Sequence, residues 1–171
     1  MKKILSIMML IFLSSMIAKK SYSIKINRIS SRIIKMIIHK ELIKNKKYKK
    51  ILNINIIISL IRCESNNDAS ALEDLTRNGG SWGLMQISHL TAKDRGFRGI
   101  PEFLHNPTLN IKYGLKQLHW LSKRKVKGKK ITVRQTLDAW NRGITGIRRY
   151  PNRNKKYVNK ILKQIIKKGE E

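Results

Sequence analysis

The chain has 171 residues, one domain of common size once a short leader is set aside, with no room for a second full domain. Its formal net charge of +28 requires that a polyanion be tolerated nearby, and nucleic acid, anionic lipid and a carboxylate-bearing cell wall all qualify. The same chain is rich in Ile, Lys and Asn together, as an AT-rich genome dictates without selection for binding, so charge alone identifies no partner. A single cysteine, Cys63, excludes an intramolecular disulfide and a thiolate metal cluster, and beside apolar residues it reads as a small buried filler. His39, His89, His105 and His119 show no i,i+4 pairing of the kind that holds a metal on a helix.

In chain order, Lys2 and Lys3 precede an apolar run from Ile4 to Ile17, and Ser21 and Ser23 flank Tyr22. That is the order of a signal peptide over residues 1–23, cleaved near Ser23; the alternative is an uncleaved anchor, but the run is shorter than the roughly 20 residues that span a bilayer. Cleavage removes four lysines and leaves +24. Residues 24–50 form a basic N-terminal segment in which Ile26, Ile29, Ile33, Ile37 and Ile38 recur at helical spacing up to Ile43, followed by a charged connector from Lys44 to Lys50. Such a helix can lie on a membrane, but packing its stripe on a core is the expectation.

The main domain is expected over 51–168. Asn55 is a candidate N-cap for a helix of Ile56, Ile57, Ile58, Leu60 and Ile61, apolar nearly all round and so buried, ending near Glu64, although the Ile-rich run also fits a strand. Residues 65–82, with Asn78, Gly79 and Gly80, have the composition of a loop or short hairpin. Ser88 to Gly96 reads as a short helix, Pro101 and Pro107 mark two helix starts, and Lys123–Lys130 reads as a basic loop. Thr132 to Asn141 reads as a further helix, with a turn at Gly143 and Gly146, and Tyr157, Val158, Ile161, Leu162 and Ile165 form the apolar side of the last one. The fold class is all-α, or α+β at most with one small β element.

Glu64 closes the most apolar helix, where desolvation and the negative helix end both raise a carboxyl pKa toward the range of a general acid. On position alone an ordinary helix-end glutamate is the simpler reading. Its surroundings are more specific: Glu64-Ser65-Asn66, then Ala71, Gly83-Leu84-Met85-Gln86-Ile87, Thr91-Ala92, Gly96, Asn106-Pro107, Asn110-Ile111, Gly114, Ala139-Trp140-Asn141-Arg142-Gly143 and Tyr157-Val158 leading to Ile161-Leu162. In that order, over roughly residues 52–165, these blocks resemble the signature of the lysozyme-like lytic transglycosylases.

The resemblance implies a lysozyme-like single domain that binds and cuts peptidoglycan glycan strands without metal or organic cofactor. It implies Glu64 as acid and base, Met85 and Gln86 as cleft-wall residues, Trp140 and Asn141 as the aromatic and amide of the family's Tyr-Asn-Ala-Gly block, and Tyr157 as a helix tyrosine facing the cleft. For Met85, Trp140 and Tyr157 core packing is the competing reading. Trp140 lacks the usual tyrosine hydroxyl and Arg142 replaces a small residue.

Animal-type lysozymes have the same interval of 19 positions that separates Glu64 from Gly83, with an Asp two residues before the glycine; here that place holds Ser81. A two-carboxylate hydrolase needs the missing group. A transglycosylase does not, since the substrate's N-acetyl oxygen and the muramyl primary hydroxyl complete the chemistry and leave an anhydro-muramic end. Glu73, Asp74 and Asp68 remain as carboxylates from other directions. The rival readings are a lysozyme-type hydrolase and a non-catalytic cationic module binding wall polymer, lipid or nucleic acid. On the favoured reading the protein is secreted to periplasm or cell wall, needs no nucleic acid, and meets a membrane only through its signal peptide; housekeeping, secretion-system and phage roles are all open.

Overall fold

The computed structural model describes residues 27–48, 53–73, 79–151 and 153–166, so the signal peptide assigned to residues 1–23 falls outside the described residues. Among the described residues, no helix is long and apolar enough to cross a membrane.

Helix α1 (Ser31–Lys44) starts later than the Ile26 pattern suggests, because Ser30 caps it, its hydroxyl accepting from the Ile33 N–H at 3.3 Å. Residues 27–29 instead run beside the segment after α2, with Asn27 and Ile29 making backbone hydrogen bonds with Ala69 and Asn67. The buried face of α1 also differs from the expected stripe. Ile34, Ile38 and Leu42, spaced by four, enter the core, whereas Ile33 is 50% exposed. The connector forms a 3₁₀ turn over Lys46–Tyr48 that buries Tyr48.

Helix α2 (Ile54–Ser65) is a helix and not a strand, and its cap is Asn53, not Asn55: the Asn53 side-chain oxygen accepts from the Asn55 N–H at 2.8 Å. Ile57, Leu60 and Ile61 are buried, and Asn66, left-handed at φ 52°, ends the helix just beyond Glu64. A three-stranded antiparallel sheet follows, of β1 (Leu72–Glu73), β2 (Ser81–Trp82) and β3 (Ile87–Ser88), with Ser81 opposite both Glu73 and Ser88.

Ser88 caps the short α3 (His89–Asp94), a 3₁₀ helix spans Pro101–His105, and Asn106 caps α4 (Pro107–Ser122) with proline in its first position. The basic segment Lys123–Lys130, expected as a loop, is a hairpin of β4 (Lys125–Val126) and β5 (Lys129–Lys130), so there are two small β elements among the described residues. Its two-residue turn places Lys127 at φ 50° and Gly128 at φ 76°, the doubly left-handed geometry that matches strand twist. Thr132 and Gln135 form a capping box at the start of α5 (Val133–Arg149). Gly143 breaks the helix where a turn was expected (φ 70°, ψ 169°), but a second helical stretch resumes directly beyond it, so Gly146 lies within helix and not in the turn. Helix α6 (Lys155–Ile166) closes the fold.

The main core joins α1, α2, α4, α5 and α6 through Ile38, Leu60, Ile111, Leu118, Leu137 and Ile161. One buried polar group fixes the approach to the sheet. Asn110, fully buried on α4, donates through Nδ2 to the carbonyls of Trp82 (2.6 Å) and Leu104 (2.8 Å) and accepts from the Met85 N–H at 2.8 Å. Gly83, at φ 65°, passes so close that a Cβ there would lie 2.5 Å from the Leu104 carbonyl oxygen. The turn from Gly83 to Gln86 is thereby clamped against α4.

Candidate active site

Helix α2 is buried through its middle, from Ile57 to Ile61, so its last turn delivers Glu64 from the core to a cleft of about 430 Å³. The sheet contributes Glu73, Ser81 and Ser88 to the cleft walls, the clamped turn contributes Gln86, and α5 contributes Trp140 and Asn141. Ser65, next to the acid, donates from its hydroxyl to the Leu84 carbonyl at 2.8 Å, tying the end of α2 to the turn that carries Gln86.

Burial pushes the Glu64 carboxyl up from 4.5 to about 7. The Tyr157 hydroxyl donates to Glu64 Oε1 and opposes that rise, the negative charge of Glu73 adds to it, and Lys160 opposes it. Tyr157 is itself held far above its ordinary range by burial and by the Glu64 charge, so it stays a neutral donor. Cys63, adjacent to the acid, is half-buried against the main core, and burial raises its thiol pKa.

Of the residues singled out in the sequence, Glu64, Ser81, Gln86, Trp140 and Asn141 line one cleft, and Tyr157 reaches Glu64 from α6. Met85 does not join them. It is fully buried, packed against Gly114, where a side chain on α4 would collide with its sulfur. The core-packing reading therefore describes Met85, while Tyr157 packs on the core and also touches the acid. Gln86, left-handed at φ 46°, donates from Nε2 to the Gly83 carbonyl at 2.9 Å.

Of the other carboxylates weighed, Asp68 accepts from the Ser70 N–H (2.8 Å), the Ser70 hydroxyl (2.7 Å) and the Asn27 N–H (3.0 Å), which hold its pKa low and fix it in a turn. Asp74 lies outside the described residues. Glu73 does line the cleft, exposed on β1. Thr91 and Gln117 were not singled out as site residues and also line it; Gln117 sits on a helix face whose pattern marks it only as polar. Arg142, the departure from a small residue, has a structural reason. It forms a bidentate pair with the buried Asp138 (2.7 and 2.6 Å) and donates across the Gly143 kink to the carbonyls of Gly146 (3.2 Å) and Tyr150 (2.9 Å). Among the described residues, no group of three or more His, Cys, Asp or Glu side chains could hold a metal ion.

A mainly helical domain in which a small sheet walls a cleft over a half-buried carboxyl of raised pKa is lysozyme-like in architecture. The chain belongs to the transglycosylase SLT domain family, whose model matches residues 25–163. That membership assigns it to the lytic transglycosylases acting on peptidoglycan, and the matched stretch takes in α1 as well as the residues after it. Comparison with curated proteins and with solved structures gave no match.

Proposed function

We propose that the protein cleaves the MurNAc–GlcNAc bond of peptidoglycan with Glu64 as the one acid and base, leaving an anhydro-muramic end. The observation that carries this reading is the Glu64 carboxyl itself, raised to about 7 by burial at the cleft and steadied by the Tyr157 hydroxyl. A carboxyl of that pKa holds a proton for the departing glycosidic oxygen near neutral pH. Once it has given up that proton, it accepts another from the muramyl primary hydroxyl, which attacks the anomeric carbon. The N-acetyl oxygen of the substrate shields that carbon between the two steps. Gln86, Trp140 and Asn141 wall the cleft where the sugar chain would lie, and Asn141 is braced by a 2.9 Å hydrogen bond from Asn154 at the foot of α6. Export to a wall-containing compartment is part of the proposal.

A second reading, a hydrolase, is favoured by one observation: Glu73 lines the cleft that holds Glu64. Mass spectrometry of digested peptidoglycan separates the two. We expect anhydro ends from the wild type, none from Glu64→Gln, and anhydro ends still from Glu73→Gln. Reducing ends that vanish in Glu73→Gln would establish the hydrolase instead.

A further inference from the structure

Beside the catalytic cleft, on the neighbouring flank of α4, lies a second pocket of about 560 Å³ in which Asp94 is the lone acidic residue among the described lining. At its centre the Trp120 ring carries two guanidinium groups, with Arg95 Cζ and Arg124 Cζ each 4.3 Å from the ring centroid. Each arginine commits its Nε to the protein: Arg95 donates to Gln117 Oε1 at 2.9 Å and Arg124 to the Trp120 carbonyl at 3.2 Å. No protein acceptor engages the outer N–H groups of either fork among the described residues. Lys116 is placed beside them, donating to the Arg95 carbonyl at 3.0 Å.

No salt bridge neutralises these cations among the described residues, where the one such pair, Arg142–Asp138, shares no residue with this pocket. The cost of crowding shows in their protonation. Arg95, Lys116 and His119 are all held below their ordinary ranges, first by burial; the Asp94 charge opposes this at Arg95 and Glu41 opposes it at Lys116, while Arg124 adds to it at Arg95, Lys112 and Lys47 at Lys116, and Lys123 and Lys47 at His119. His119, which lines the same pocket, also has a buried Nδ1 without a hydrogen-bond partner. Stacking on an indole fixes a guanidinium plane at little further entropic cost, so the two forks are organised before any ligand arrives.

We infer that this pocket is a phosphate-binding site, in which the free forks of Arg95 and Arg124 and the ammonium of Lys116 receive the oxygens of one phosphate group. A carboxylate brings one charge and two acceptor oxygens. A phosphate monoester brings close to two charges and three strong acceptors, which suits a pocket lined by several cations. The Arg95–Gln117 hydrogen bond joins the site to the catalytic cleft, whose wall includes Gln117.

The test uses the full chain and inorganic tripolyphosphate as probe at fixed ionic strength, with calorimetry for affinity and the His119 ring resonances for its pKa. Saturable binding that raises the His119 pKa is expected, weakened about tenfold or more in Arg95→Gln/Arg124→Gln. Lys35→Gln/Lys163→Gln, which removes equal charge elsewhere, should weaken it by less than about threefold. Should the arginine-to-glutamine pair fail to fold, Arg95→Lys/Arg124→Lys keeps the charge and loses the forks, and is expected to bind more weakly than wild type. Vesicles of phosphatidylcholine with phosphatidic acid distinguish the source: co-sedimentation that depends on the arginine pair assigns a lipid headgroup, and its absence assigns a soluble or polymer-borne phosphate. Equal losses in the two glutamine pairs, equal binding of citrate, or an unmoved His119 would overturn the assignment.

Discussion

Replacing Glu64 by Gln removes the titrating group while keeping its shape and an acceptor for the Tyr157 hydroxyl. Because burial raises this carboxyl from 4.5 to about 7, the folded protein binds its proton more tightly than the unfolded chain does. Between those two values the native state holds more protons, so wild-type stability falls as pH rises through that window and levels off above it. An interval of about 2.5 pH units at about 1.4 kcal/mol each amounts to roughly 3.5 kcal/mol in all, of which roughly 3 kcal/mol falls between pH 4 and pH 8. The substituted amide cannot ionise, so the variant is exempt from that loss, and any fixed cost of the amide is the same at every pH. Relative to wild type, Glu64→Gln should therefore gain roughly 3 kcal/mol between pH 4 and pH 8, a relative gain of roughly 6–12 °C in melting temperature for a domain of this size. Thermal or urea melts at pH 4, 6 and 8 measure it. Parallel stability curves for the two proteins would refute the desolvated acid, whatever the activity data showed.

Three other perturbations probe the same architecture. Tyr157→Phe deletes the hydrogen bond that favours ionised Glu64, so the alkaline limb of the activity–pH profile should move to higher pH by about one unit; an unmoved limb would mean the hydroxyl does not act on the acid. Glu73→Gln removes a like charge and should move that limb the other way, to lower pH, with turnover retained. Asn110→Ala leaves the Met85 N–H and the Trp82 and Leu104 carbonyls without their partner, and should cost about 3 kcal/mol or more in denaturant melts.

Much of this was legible in the sequence because the chemistry is carried by short-range signals. Glu64 stands at the end of an apolar run, and prolines or capping side chains mark helix starts at Pro107 and Thr132. What was misread depends on long-range contacts or on one-residue choices. Both Asn53 and Asn55 can cap a helix, and periodicity does not choose between them. On α1, isoleucine occurs at so many positions that two faces compete, and only the neighbouring helices select Ile34, Ile38 and Leu42 over Ile33, with Ile37 packed at the core's edge. The hairpin at Lys125–Lys130 has a solvated, lysine-rich strand pattern, and only its Lys127-Gly128 turn distinguishes it from loop.

The block from Gly83 to Gln86 shows why a motif match does not convert directly into a list of contacts with substrate. Gly83 is required by the Leu104 carbonyl and Asn110, Leu84 receives the Ser65 hydroxyl at its carbonyl, and Met85 fills the space that Gly114 leaves open on α4. Only Gln86 of these four lines the cleft. Three of the four positions therefore hold the turn, and through Ser65 the same turn is tied to the end of the helix that bears the acid. A substitution at Gly83 or Met85 would displace the cleft wall relative to Glu64 without touching a reacting atom. Spacing in the sequence records both requirements together, and separating them takes the third dimension: at Met85 the backbone is held by Asn110 and the side chain is buried in the core instead of lining the cleft. Arg142 shows the converse, for it lines the cleft while its guanidinium is committed to Asp138 and to the carbonyls beyond Gly143, so a residue that departs from the family's pattern preserves the kink on which Trp140 and Asn141 are presented.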